Sequence, residues 1–198
     1  MRLRADFAPA LAGHDLADLD RASSSAFAID PDFVLAYTND AWDRFAGDNG
    51  GDQSRWTIGD GLLEAISGPT HAFFEASYRA VLVGGSPWSF VYECSSPERF
   101  REFRLTAYPL PRGRGILVVN ACVMERGHAR DAATDDVSAY VDGDGIIHQC
   151  SHCRCVRHQR HVERWDWVPS LLAAKLPISH GLCGPCLNHH YASDVGGS

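Results

Sequence analysis

The chain has no apolar run long enough to cross a bilayer. Its longest, Gly115 to Met124, is about half of the ~20 residues that a spanning helix needs. A secretory leader is not expected in the residues read: Arg2 and Arg4 are followed by Asp6, Pro9 and His14, without a clean apolar stretch or a small-residue cleavage site. Positive charge is not in excess. The net charge is −7 and the pI about 5.7, so the surface as a whole carries no field to draw in a nucleic-acid backbone or an anionic membrane. Catalytic signatures are absent too, with no glycine-rich ATP loop, no Gly-x-Ser-x-Gly elbow and no His-Glu-x-x-His helix. No long internal repeat occurs. These absences predict a cytoplasmic protein that neither enters a membrane nor acts as a kinase, hydrolase or metalloprotease.

What is present is the composition of a folded protein. Hydrophobic residues make up 45% of the 198 and charged residues 22%, which permits a buried core and argues against wholesale disorder. The length suits one domain of about 120 residues with a small appendage. Cysteines number seven, an odd count, and four of them form two Cys-x-x-Cys pairs. Metal or redox chemistry therefore takes precedence over a secreted disulfide framework.

Residues 1–25 read as a helical lead-in carrying Leu11, Leu16 and Leu19. Phe27-Ala28-Ile29 and Phe33-Val34-Leu35-Ala36-Tyr37 form a predicted hairpin around the turn Asp30-Pro31-Asp32. Asn39 stands at the N-cap position of a short helix that ends at Gly47, ahead of a Gly-Asp-Asn-Gly-Gly loop. After Pro69, the spacing of Phe74, Tyr78, Val81 and Leu82 predicts one face of a helix closed by Gly84-Gly85. Three strands come next, Trp88 to Cys94, Phe100 to Tyr108 and Gly115 to Met124, with Cys94 and Cys122 expected in the core. Residues 125–138 are mostly charged or polar and read as a linker. A small hairpin around Asp142-Gly143-Asp144-Gly145 then leads into the first cysteine pair, and residues 192–198 read as a frayed tail.

The stretch Phe27 to Val123 resembles a PAS domain. Its opening strand-turn-strand and the asparagine before an aromatic-bearing helix, Asn39-Asp40-Ala41-Trp42, carry the likeness. The resemblance covers about half of the chain and implies an α+β fold: a five-stranded antiparallel sheet over residues 26–124 with helices on one face. It also implies a sensing or partner-binding role, with a small ligand or cofactor held between sheet and helices. The candidate cofactor-binding residues are Asn39, His71, Tyr78 and Tyr92. His71 lies where some haem-binding members carry an iron ligand, although a lone histidine in a first helical turn is more often exposed or capping. An Asn-Cys-Arg-Phe-Leu-Gln-like segment, which flavin-binding members use for a cysteinyl adduct, is missing. Neither haem nor flavin is therefore backed by a specific motif. The many aromatics can line a cavity or fill it, and filling is the preferred reading. Through the same resemblance, Leu11 to Leu19 form a candidate self-association contact.

The strongest chemical signal is Cys150-Ser151-His152-Cys153 and then, after 29 residues, Cys183-Gly184-Pro185-Cys186. Two residues between cysteines let both sulfurs face one ion at about 2.3 Å, and two such turns complete a tetrahedron. A module of about 50 residues is too small to hold together on apolar burial alone, so a bound metal would supply the missing folding free energy. The module, residues 139–191, resembles a cysteine-rich tail found after PAS or receiver domains in bacterial signalling proteins. Structural zinc on Cys150, Cys153, Cys183 and Cys186 is the leading reading, ahead of a dithiol switch and an iron–sulfur cluster. His180 is a neighbour of the ligands or an alternative one. Cys155 is a spare thiol or a packed hydrophobe.

A turn and short helix over Trp165 to Lys175 are expected to fill the interval between the pairs. Between His148 and Tyr191, Arg154, Arg157, Arg160, Arg164 and Lys175 outnumber Glu163 and Asp166. This basic face meets an acidic partner, or, in the alternative, nucleic acid. The expectation is a signalling protein with protein or self partners and no enzymatic activity. Its other alternative is a thiol oxidoreductase working through Cys183-Gly184-Pro185-Cys186.

Overall fold

The structure, a computed structural model, describes residues 2–48, 56–66, 69–96, 98–133, 136–172 and 176–191. The chain divides into two compact units, one formed by 1–90 with 104–121 and the other by 91–103 with 122–198. Its larger sheet runs in the order β1-β3-β2-β6-β5-β4, with β1 Arg2–Leu3, β2 Ser25–Ile29, β3 Leu35–Thr38, β4 Trp88–Glu93, β5 Arg99–Pro109 and β6 Ile116–Gly127. β1 and β3, β2 and β3, and β2 and β6 pair antiparallel.

β2 is buried at every position because successive side chains point to opposite faces and both faces are covered. Ala26 and Ala28 pack with Phe7, Ala10 and Leu11 of the N-terminal segment, while Phe27 meets Trp42 of α2 (Asp40–Asp48) edge-on at 4.9 Å. The first 25 residues thus do more than lead in. They supply an edge strand, a 3-10 turn over Ala5–Leu11 and α1, Leu16–Arg21, whose Asp15 side chain caps two amides. Leu11 is fully buried, and Leu16 and Leu19 pack against the same cluster. Leu11 thus belongs to the chain's own core, while Leu16 and Leu19 are only partly buried.

α3, Pro69–Gly84, begins and ends where the sequence pattern placed it. Tyr78 and Val81 are buried, and Phe73, Phe74 and Tyr78 interlock with Trp88 and Phe90 of β4 at centroid distances of 5.1 to 6.2 Å. The aromatics of the first unit therefore pack on one another. At the β5–β6 turn, Gly115 adopts φ +144°, and a Cβ there would lie 2.2 Å from the Ile29 carbonyl oxygen. Only glycine lets β6 start hard against β2.

The second unit carries a smaller sheet, β10-β7-β8-β9, with β7 Ile147–Cys150, β8 Val156–Arg157, β9 Trp165–Asp166 and β10 Ile178–Gly181. β10 pairs parallel with β7. Two short helices complete the unit, α4 Pro169–Leu172 and α5 Gly184–Tyr191. Its apolar core is Tyr140, Ile147, Val156, Val168 and Leu171. The stretch read as a linker from residue 125 is strand as far as Gly127. Cys122 is exposed and Cys94, just past the end of β4, is half-buried, so neither is the core residue expected. The expected tail, 192–198, and Lys175 of the expected helix lie outside the described residues.

Candidate metal centre

Each cysteine pair is held by a different element. Cys150 ends β7, and the chain turns back through Cys153 into β8, closed by the Arg154 amide on the Cys150 carbonyl at 3.1 Å and the Cys150 amide on the Cys155 carbonyl at 2.9 Å. Arg154 takes φ +62° at this turn, a conformation that costs a non-glycine residue roughly 1–2 kcal/mol. Its side chain is fixed by donating to the Ser95 carbonyl at 3.1 Å and to Gln149 Oε1 at 3.3 Å. Cys183 immediately precedes α5 and Cys186 lies in its first turn. The free amides of a helix N-terminus favour negative charge on sulfur, and the Cys183 amide donates to Cys150 Sγ at 3.5 Å.

The four sulfurs converge. All lie within 4.8 Å of one another, Cys153 and Cys183 Sγ are 3.7 Å apart, and all four side chains are buried. An ion with sulfur ligands at about 2.3 Å in a tetrahedron spaces them by about 3.8 Å, so the group could hold one metal ion. Without a cation the cluster accepts charge unevenly. Hydrogen bonds from the other three thiols, Cys153 foremost, hold the Cys150 thiol far below its ordinary range. The same contact with Cys150 pushes Cys153 up to about 12, and Cys183 and Cys186 higher still. A cation placed among the four sulfurs would favour their ionised form.

His152, inside the first pair, was not singled out in the sequence as a functional residue, and it organises the surroundings. It is buried. Its Nδ1 bonds the Glu93 carbonyl at 3.0 Å and its Nε2 the Tyr191 hydroxyl at 2.8 Å, so Nδ1 is the donor and Nε2 accepts from the phenol. Burial, first among its influences, holds His152 below the usual histidine range and favours this neutral form. Tyr92 tilts against the His152 ring at 5.7 Å and stacks on Phe103 at 6.0 Å. Arg130 donates to the Cys153 carbonyl at 2.6 Å and pairs with Glu93 at 2.7 Å. The His128 ring bonds the Ser96 carbonyl at 2.7 Å. Residues 91–103, the far end of the β4–β5 hairpin, are thereby built into the cysteine unit. Beside the cluster an open cavity of about 340 Å³ is lined by Cys153, Cys155, Cys183 and Cys186 together with Glu93 and Arg130, among others.

The candidate cofactor residues fall in both units. Asn39, His71 and Tyr78 belong to the first unit and Tyr92 to the second. Asn39 is fully buried and its amide is saturated by backbone: Oδ1 accepts from the Ala26 and Trp42 amides, and Nδ2 donates to the Leu19 and Ser24 carbonyls, all at 2.9 to 3.0 Å. It caps α2 and clamps β2, with no donor or acceptor left for a ligand. His71 is half-exposed beside Glu75, at 3.7 Å. His180 lies on β10, opposite Gln149, and is exposed. It is not in the four-sulfur group. Arg164 pairs with Asp166 at 2.7 Å and Arg154 donates to Ser95 and Gln149, so two of the five residues of the expected basic face are engaged inside their own unit.

A family model for the PAS fold matches residues 19–126, more than half of the chain. The chain belongs to the PAS fold family. Among solved structures, this PAS protein is similar to phage VqmA in its complex with DPO, at 18% identity and a TM-score of 0.44, covering 60% of this chain and 55% of that one. It is also similar to the Vibrio cholerae VqmA dimer, at 19% and 0.40, covering 61% and 57%. A third is the photoactive yellow protein domain of the sensor histidine kinase Ppr from Rhodospirillum centenum, at 14% and 0.41, covering 56% and 95%. The chain matches little more than half the length of the VqmA chains. A search of the curated proteins finds no match. No helix among the described residues of the PAS protein is long and apolar enough to cross a membrane.

Proposed function

We propose that this PAS protein is a non-catalytic signal-transduction protein in which the PAS sheet is joined to a zinc-stabilised output module through β4 and β5. The observation that carries this reading is the placement of residues 91–103. They leave the sheet as its β4–β5 hairpin and are held by His128, Arg130, His152 and Arg154 of the cysteine unit. Zinc is favoured because the four sulfurs are buried and spaced for a single tetrahedral ion. An iron–sulfur cluster would interpose several atoms and hold its cysteines further apart. The ion holds the fold of a unit too small to stand on its apolar core alone. The signal is a small ligand or a protein contact at the PAS unit, passed along the two strands to a module read by a protein partner or a second copy of the chain.

Elemental analysis of untagged, freshly purified protein tests the metal assignment. One zinc per chain and no iron is expected. Iron in its place, or neither metal, would overturn it.

A further inference from the structure

Cys155 is the one cysteine of the module that the tetrahedron does not need, yet it packs against the four that it does. It is half-buried where those four are buried, and it lines the same open cavity that exposes the edges of Cys153, Cys183 and Cys186. Cys150, fully buried, does not line it. A structural metal site is ordinarily closed on all sides. Here the open cavity gives a solute a way to the sulfurs, and Cys155 lines it. Arg130 borders the cavity too, held in place by Glu93 at 2.7 Å and by the Cys153 carbonyl at 2.6 Å, so a fixed cation is at hand for an oxidised or ionised sulfur.

We propose that Cys155 is an oxidation site through which hydrogen peroxide entering this cavity releases the metal. The inference rests on the four-cysteine metal reading above and adds its regulation. In the first step the Cys155 thiolate attacks one peroxide oxygen. The O–O bond breaks, hydroxide leaves and is protonated to water, and Cys155 becomes a sulfenic acid, oxidised by two electrons while the peroxide is reduced. In the second, the Cys153 sulfur attacks the Cys155 sulfur, forms the S–S bond and displaces the sulfenic oxygen, which leaves as a second water. Cys153 then no longer offers a thiolate, the ion keeps three ligands, and the module lets it go. A thiol reductant reverses the change.

The test uses the zinc-loaded full chain, sub-millimolar hydrogen peroxide and a chromogenic zinc chelator, with wild type compared against Cys155→Ser and Cys155→Ala. Both variants are expected to hold one zinc per chain at rest and to release it at least tenfold more slowly than wild type. Peptide mapping of oxidised wild type is expected to find Cys153 joined to Cys155, and a sulfenate-trapping dione to label Cys155 at early times. Release from the variants at the wild-type rate, or a Cys183–Cys186 bridge formed first, overturns the proposal and leaves the metal site standing. Wild type without zinc at the outset overturns the metal reading instead. If both variants fail to fold, the dione label and the mapped bridge in wild type decide alone: Cys155 unlabelled and unbridged refutes the proposal.

Discussion

Replacing His152 by alanine removes two hydrogen bonds at once, one to the Glu93 carbonyl and one to the Tyr191 hydroxyl. The Glu93 carbonyl loses its 3.0 Å donor and the Tyr191 hydroxyl its 2.8 Å acceptor, in a place where His152 and Tyr191 are buried. An orphaned buried polar group costs about 1–3 kcal/mol, and the space left by the ring adds to this, so His152→Ala should destabilise the second unit by about 3–5 kcal/mol. His152→Phe keeps most of the volume and isolates the polar part, about 2–4 kcal/mol. Tyr191→Phe alone should cost about 1 kcal/mol, and the double variant should fall short of the sum by a similar amount, because both changes remove the same bond. Urea unfolding monitored by the fluorescence of Trp165 and Trp167, at fixed free zinc, reads all four values. Additivity within about 0.3 kcal/mol, or a cost below about 1 kcal/mol for His152→Ala, would refute the view that this histidine ties the hairpin to α5.

Other expectations concern the first unit and the ligands. Asn39→Ala removes four side-chain hydrogen bonds to backbone groups and should cost about 3 kcal/mol, seen as a lower melting temperature; an unchanged melt would refute the clamp. Tyr37 is fully enclosed and its hydroxyl has no hydrogen-bond partner among the described residues, and burial pushes its pKa up to about 12. Since the folded value lies above the unfolded one near 10, stability is complete below about pH 10 and lost as the pH rises towards 12. Tyr37→Phe should remove that loss without destabilising the protein at pH 7, as denaturation curves against pH would record. Gly115→Ala drives a methyl into the Ile29 carbonyl and should cost more than about 2 kcal/mol, read in the same melt. Cys150→Ser should abolish metal retention and melt the second unit, as circular dichroism and elemental analysis would show together.

Much of this architecture is legible in the sequence, for reasons that lie in local chemistry. Pro69, the spacing of Phe74, Tyr78 and Val81, and Gly84-Gly85 define α3 without outside help, and the two Cys-x-x-Cys pairs announce their convergence by spacing alone. β1 cannot be read in this way, since a two-residue strand has no periodicity and exists only because β3 offers an open edge. The burial of Leu11 depends on the alanine face of β2, which accepts a helical segment at close range. The role of His152 is hidden for a similar reason: its carbonyl partner lies 59 residues away along the chain. Asn39 reads correctly as a cap, while its other three bonds, to Ala26, Leu19 and Ser24, depend on how α1 and β2 meet.

The central claim is that the metal-bound module includes the end of the β4–β5 hairpin. Hydrogen exchange of the full chain, measured by mass spectrometry with and without a zinc chelator, addresses it directly. Removal of the metal should raise exchange in residues 91–103 together with residues 139–191, leaving α3 and β2 protected. Rapid exchange confined to residues 139–191, with 91–103 as protected as before, would contradict it.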